Sequence, residues 1–407
     1  MAATVRAATS WLTVVLLCGA AVFISYIDRT NLSVAAIPMQ QAFGWSETTK
    51  GWVLSSFFIG YLLFMAASGV LANRFGGRKV LGAAVLWWSA FTALTPPAAM
   101  VSLPVLMAAR IALGMGEAAV FPASVNMLAR WVPAQHRSRA SAFFISTLSL
   151  GAMVSLPVTG WLVRDFGWPL PFYAFGAMGL MWAVAWYALT REGRSEAEAS
   201  HEPRSIPWRR LVRSSGVWAL TINHFCSNWV LYVLLSWLPS YFKTTFNVSL
   251  TNAGLMAAAP WAAYFVMANI AGWAADALLA RGRSPTFVRR LMQCTALLGS
   301  ATFMIAVQYA GTATMGLVLL CGAAGALGLC LAGFGSNAFD LSPRYADVIW
   351  GISNTGGTLP GVFGVAITGW LVDRTGSYAA PFLLTAALAV GGALVFLFFG
   401  SGERQVD

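Results

Sequence analysis

The sequence predicts an all-α membrane protein, with twelve transmembrane helices in two pseudo-symmetric six-helix bundles. Three observations carry this. Of the 407 residues, 58% are hydrophobic and only 10% are charged, against about 25% charged in an ordinary soluble domain. Apolar stretches of about 20 residues, the length that crosses about 30 Å of hydrocarbon, recur along the whole chain. Short motifs of the first half also return in the second at nearly constant offset.

The composition excludes several classes. The 18 Trp, 26 Phe and 10 Tyr are too much apolar mass for a disordered chain. The net charge of +11 would suit a nucleic-acid partner only if the cations were clustered on one solvated face. They lie instead in short runs between apolar segments, and no nucleic-acid partner is implied. Cys18, Cys226, Cys294, Cys321 and Cys330 all fall within apolar segments, with no CxxC and no His at ligand spacing. Neither a disulfide framework nor a metal site is expected.

Taken in order, the expected spans are residues 11–37, 51–72, 80–97, 103–131, 140–163, 170–190, 216–242, 252–276, 291–310, 312–336, 347–371 and 379–400. The first is not a signal peptide, because its apolar run continues through Asp28-Arg29 to Ile37 without a small-residue cleavage pattern. Lys and Arg set the orientation. Nineteen of them lie at the termini and in the loops on the same side, four lie on the opposite side, and Arg29 and Arg110 lie within spans. Both termini are therefore expected in the cytoplasm.

The longest polar stretch, Arg191–Ser215, divides six spans from six. Around it GWLVRDFGW (Gly160–Trp168) returns as GWLVDRTGS (Gly369–Ser377), and Pro171-Phe172 as Pro381-Phe382. GVLANRFGGRK (Gly69–Lys79) is matched by GWAADALLARGR (Gly272–Arg283). The expected organisation is an N-terminal bundle at 1–195, a cytoplasmic linker at 196–209 and a C-terminal bundle at 210–407, related by an axis along the membrane normal.

An ionisable side chain at the bilayer centre costs about 2.5–3.5 kcal/mol on insertion scales, so intramembrane charges mark function. Asp28 and Arg29 lie in the first span, Arg110 and Glu117 in the fourth. Seven residues separate Arg110 from Glu117, which places them on nearly one helix face about 10 Å apart. Guanidinium groups suit carboxylate or phosphate, because their planar fork donates paired hydrogen bonds. Tyr26, Tyr61, Asn228, Tyr232, Ser336, Asn337 and Asn354 are candidate lining residues of a polar cavity, although an intramembrane Asn or Tyr also serves as interhelical glue. His224 reads as a hydrogen-bonded interface residue, and Asn247-Val248-Ser249 as a low-grade glycosylation sequon. HExxH, GxSxG and GxxxxGK[ST] do not occur. No enzyme, no cofactor and no ATP-driven pump is implied.

With these motifs in view, the chain resembles the solute carrier 17 branch of the major facilitator superfamily, among the anion:cation symporters. The segments that carry the resemblance include YIDRTNLSVA (Tyr26–Ala35), ARIALGMGEAAVFPA (Ala109–Ala123), HFCSNWVLYVLLSWLPSYF (His224–Phe242) and NAFDLSPRYADVIWGISNTGGTLPG (Asn337–Gly361). They look closest to the plastid phosphate-transporter group and sialin. The resemblance implies that Arg29 and Arg110 bind the substrate's carboxylate or phosphate, that Glu117 takes part in cation coupling, and that the loops containing Arg74 and Asp276 gate. Departures stand at Asn73, where the superfamily loop carries Asp, at Met65, where many relatives have Gln, and at Ser227, where vesicular glutamate transporters carry Arg. Plastid members begin with a transit extension that is absent here, and the expected home is a bacterial cytoplasmic membrane.

The function read from the sequence is secondary active transport of a small organic or inorganic anion by H+ or Na+ symport with alternating access. Arg29, Arg110, Tyr26, Tyr61, Asn228, Tyr232 and Asn337 are the substrate-binding candidates, and Asp28 and Glu117 the cation-coupling ones. The partners are the anion, the coupling ion and the lipid bilayer, and the protein is taken as monomeric. A drug/H+ antiporter would want a cavity dominated by carboxylates, which two intramembrane arginines oppose. A non-transporting membrane sensor would need a sizeable output module, and the linker and tail offer none.

Overall fold

The computed structural model describes residues 10–191 and 206–406, and among these the regular structure is entirely helical. The first half comprises α1 (Trp11–Phe43), α2 (Glu47–Phe75), α3 (Gly77–Val101), α4 (Leu103–Glu117), α5 (Val120–Trp131), α6 (Arg137–Phe166) and α7 (Pro169–Leu189). After the short α8 (Trp208–Arg213) come α9 (Ser215–Phe246), α10 (Leu250–Ala280), α11 (Pro285–Ala306), α12 (Ala313–Gly328), α13 (Phe334–Leu341), α14 (Ala346–Thr375) and α15 (Ala379–Phe399). With α4–α5 and α12–α13 each counted as one broken path, the described residues form twelve long helical paths at the twelve expected places.

Most helices outrun the apolar limits by a few residues. α1 continues to Phe43 and α2 begins at Glu47, so Lys50, expected in a loop, lies in the first turn of a helix. Polar residues at the membrane surface can extend a helix without entering hydrocarbon, which hydropathy alone does not register. Eleven of the paths are long and apolar enough to cross a membrane. The twelfth, α9, is 32 residues long, and Asn223, His224 and Asn228 dilute its apolar content. Asn247 closes α9 in the left-handed region at φ 50°, which gives the sequon a local structural role. The expected linker at 196–209 lies mostly outside the described residues.

The fourth path breaks where a proline requires it. Pro122 has no N–H to give the carbonyl of Ala118 four residues earlier, and the hydroxyl of Ser68 on α2 donates to that oxygen at 3.1 Å instead. α2 can come this close because of Gly60: a Cβ there would lie 1.9 Å from the carbonyl oxygen of Ile111. The break leaves Glu117 as the last residue of α4.

The internal repeat is visible as chemistry. Arg78 on α3 donates to the carbonyls of Thr190 (2.9 Å) and Tyr187 (3.0 Å) at the end of α7. Arg290 on α11 donates to those of Gly400 (2.8 Å) and Phe398 (3.3 Å) at the end of α15. In each half one arginine satisfies the orphaned carbonyls of the sixth path from the third, at the negative end of the helix dipole.

The described chain packs into two compact units. The first takes in residues 10–31, 59–155 and 166–191, with α3 packed on α4 and α7. The second takes in residues 32–58, 156–165 and 206–406, with α9 on α14, α10 on α12 and α11 on α15.

Candidate functional site

The four intramembrane charges come together in the first unit. Asp28, Arg110 and Glu117 are at most 1% exposed and Arg29 is 9% exposed. Arg29 Nη2 donates to Glu117 Oε2 at 2.9 Å, and Ser25 Oγ donates to the same oxygen at 2.8 Å. Ser25 and Arg29 stand four residues apart, so one face of α1 presents both to Glu117. The guanidinium of Arg29 also lies over the rings of Tyr26, 4.7 Å from its centroid, and Tyr61, at 5.0 Å. These rings favour a cation through their negative faces while excluding water around the ion pair.

The other two charges are less fully paired. The Nε and Nη1 of Arg110 are buried without a hydrogen-bond partner among the described residues, and the Asp28 carboxylate has the Thr92 and Trp88 side chains of α3 beside it but no well-formed hydrogen bond. Arg110 lies in the electrostatic field of Glu117 and Asp28, but no ion pair joins it to either carboxylate. Glu117 Oε1 and both side-chain polar atoms of Asn31 are also unmatched. Buried polar groups in proteins are almost always satisfied, and in hydrocarbon each exception is costly. Several such exceptions lie around these two arginines and two carboxylates, which makes the cluster the candidate site. Two positive and two negative groups leave the cluster neutral when all are ionised.

The sequence-predicted residues divide between the units. Asp28, Arg29, Arg110, Glu117, Tyr26 and Tyr61 share the first. Asn228, Tyr232 and Asn337 belong to the second. Asn228 Nδ2 donates to the carbonyl of Gly357 at 2.7 Å, tying α9 to α14. The ring of Tyr232 lies 4.5 Å from that of Phe58. Asn337 is fully buried and its Nδ2 donates to Ser401 O at 2.7 Å, holding the C-terminal tail. Ser336 donates to Leu331 O at 3.2 Å. Arg74 and Asp276 are exposed near the C-terminal ends of α2 and α10.

Three structural features escaped the sequence. Ser25 gave no signal except its position one turn before Arg29. The direct Arg29–Glu117 pair depends on the angle between α1 and α4, which one-dimensional spacing does not contain. A buried polar network in the second unit was also missed. In it Gln293 Nε2 donates to Asn223 Oδ1 (3.0 Å) and Ser227 Oγ (3.2 Å), and Gln293 Oε1 accepts from the backbone N–H of Phe334 (3.2 Å) at the start of α13. His224 Nδ1 lies 2.8 Å from Ser353 Oγ nearby, which agrees with an interface role.

The Major Facilitator Superfamily profile matches residues 18–365. Among curated proteins, the chain is 40% identical to the chloroplastic ascorbate transporter of Arabidopsis thaliana, over 97% of this chain and 75% of that one. It is 39% identical to the chloroplastic sodium-dependent phosphate transport protein 1 of the same plant, over 97% and 80%. Among solved structures, a D-xylose–proton symporter superposes with a TM-score of 0.76 at 17% identity, over 97% of this chain and 100% of the other. A bacterial homologue of the human lysosomal transporter Spinster, in an inward-facing occupied conformation, gives 0.75 at 19% identity over 95% and 94%. At those identities the structures speak for the fold alone. The chloroplastic relatives overturn the expectation of a bacterial cytoplasmic membrane. That expectation rested on where the sequence begins, which carries no record of the compartment, whereas the multi-pass membrane architecture is unaffected. The relatives support an anion transporter and not an enzyme, and the chain belongs to the major facilitator superfamily.

Proposed function

We propose that the protein is a secondary active transporter of a small anion, a carboxylate, an acidic sugar derivative or phosphate, in a plastid membrane. The observation that carries this is Arg110: a fully buried guanidinium with unmatched Nε and Nη1, beside a second arginine already held by a carboxylate. An anion on Arg110 would compete with Glu117 for Arg29. The coupling cation, H+ or Na+, would neutralise the carboxylate that Arg29 leaves, with Asp28 as a second acceptor. Without that cation the cluster would carry a net negative charge in a medium that penalises it. The relatives named for ascorbate and for sodium-dependent phosphate transport support the substrate class, and the second of these names supports Na+ as the cation.

Alternating access would be produced by bundles 1–195 and 210–407 moving about the linker 196–209, a division supported by the matched Arg78 and Arg290 contacts. The exposed Arg74 and Asp276 would act where the loops on the terminal side close. Asn228, Tyr232 and Asn337 would be the second bundle's share of the substrate site, working as a monomer.

Proteoliposome uptake of phosphate, ascorbate, hexuronates and dicarboxylates under separate H+ and Na+ gradients tests the proposal. Accumulation of one class above equilibrium, driven by one of the two gradients, is expected. Accumulation of organic cations with no anion uptake would replace it with the antiporter.

A further inference from the structure

Two junctions on the side opposite the termini, both inside the second compact unit, are repeat mates that differ in charge. In one, the end of α14 meets the start of α2: a Cβ on Gly369 would lie 2.4 Å from the carbonyl oxygen of Glu47. In the other, the end of α6 meets the start of α10, where a Cβ on Gly160 would lie 3.0 Å from that of Leu250. Each glycine lets a helix end touch the first turn of another. They are the leading residues of the repeated motif Gly160–Trp168 and Gly369–Ser377.

The chemistry beyond the glycines is not repeated. One turn after Gly369, the carboxylate of Asp373 accepts from the backbone N–H of Glu47 (3.0 Å) and Thr48 (2.9 Å) and from the Thr48 hydroxyl. Ser46 Oγ takes the next N–H, that of Thr49, at 3.1 Å. The opening donors of α2 are thus satisfied, two of them by an anion from a helix more than 300 residues away, at the positive end of the helix dipole. In the repeat mate, the position of Asp373 is held by Arg164. A cation cannot accept from N–H groups, and Arg164 pairs instead with its exposed neighbour Asp165 at 2.6 Å. The start of α10 uses its own Ser249, whose Oγ accepts from Asn252 N at 3.2 Å.

A second charge reinforces the α2 junction. Lys50 is 1% exposed, with Nζ 2.6 Å from Glu47 Oε2, 2.8 Å from Gln40 Oε1 and 5.0 Å from the centre of the Trp237 ring. That ring is anchored to α14, because Trp237 Nε1 donates to Val365 O at 3.1 Å. Parting α2 from α14 would strip the N-terminus of its carboxylate cap.

We propose that Asp373 is the latch that holds the transporter closed on the side opposite its termini, and that the α6–α10 junction, with the charge order reversed, has no such latch. The proposal rests on the alternating-access reading given above. A cysteine at Ser55 reports on it directly. Ser55 is wholly buried two turns in from the latch, on the stripe shared by Gly51 and Phe58, which meet Ala366 and Gly361 of α14. An impermeant maleimide reaches this position only when the junction opens, and labelling of protein in lipid nanodiscs, corrected for the native cysteines, requires no substrate.

In this background Asp373→Ala is expected to raise the labelling rate about tenfold, the population shift that follows from losing a strong helix cap. Asp373→Asn, which keeps an acceptor oxygen but not the charge, is expected to fall between. Asp165→Ala is expected to label at the parental rate. Parental labelling of both Asp373 variants, or Asp165→Ala labelling as fast as Asp373→Ala, would overturn the latch. If Asp373→Ala does not give a monodisperse protein, Asp373→Asn decides alone. Failure of the transport reading would show separately, as absence of anion uptake by the unmodified protein.

Discussion

Arg110→Lys is expected to lower anion uptake about 100-fold while the protein still inserts and purifies as a single species. Lysine keeps the positive charge, so the neutrality of the cluster with Asp28, Arg29 and Glu117 is preserved and insertion is little affected. What it loses is the planar fork. Nε and Nη1 of Arg110 are buried and unmatched, so each of its two forked edges, Nε with Nη2 and Nη1 with Nη2, keeps a donor for an anion. Charge-assisted hydrogen bonds contribute about 1.5–3 kcal/mol each, and losing about 3 kcal/mol corresponds to about 100-fold in affinity. Arg29→Lys is expected to cost less, because a lysine there can still pair with Glu117. Initial uptake rates in proteoliposomes, normalised to protein incorporated, check this. Uptake by Arg110→Lys within twofold of the unmodified protein would leave Arg110 as a charge that braces α4 against Asp28 of α1.

Glu117→Gln is expected to separate two activities that normally go together. Glutamine imitates the neutralised carboxyl, so Arg29 is released permanently and the loaded site is close to neutral. Exchange of internal for external anion requires only that the loaded protein reorient, and it should persist. Accumulation against a gradient requires the carboxylate to discharge its cation and return, and it should be lost. The location of Glu117 at the α4 break gives this a structural basis. Its neighbours Ala118 and Ala119 form the turn between α4 and α5, so its side chain is set by a local bend and not by an uninterrupted helix face. Counterflow and gradient-driven uptake measured on one preparation distinguish the cases. Equal loss of both would mark Glu117 as a brace, and undiminished accumulation would move coupling to Asp28.

Much of this arrangement was legible in one dimension. The twelve paths follow from runs of apolar residues, because the bilayer imposes a minimum length that hydropathy measures directly. The four charges stood out because ionised groups are rare where water is absent. What was not legible is how helices turn against one another. Nothing in the spacing of Arg29 and Glu117 says that they touch, since that contact depends on the angle between α1 and α4 and on the break before Pro122 that leaves Glu117 at the end of α4. Asn337 stands out as a polar residue within an apolar run, but that its Nδ2 donates to Ser401 O in the tail is not written in that run. Lys50 looked like a loop cation because helix ends are invisible to an apolarity count, and its burial against Trp237 is a tertiary fact.

In the proposed cycle the anion takes Arg29 from Glu117 and a cation replaces Arg29 on the carboxylate. Equilibrium binding of the transported anion to purified protein, titrated across H+ and Na+ concentration, tests this most directly when the unmodified protein and Glu117→Gln are compared. The unmodified protein should bind the anion at least tenfold more tightly as the coupling cation rises, and Glu117→Gln should bind at the tight limit throughout with no cation dependence. A Glu117→Gln protein that retains the full cation dependence would contradict the exchange of partners at Glu117.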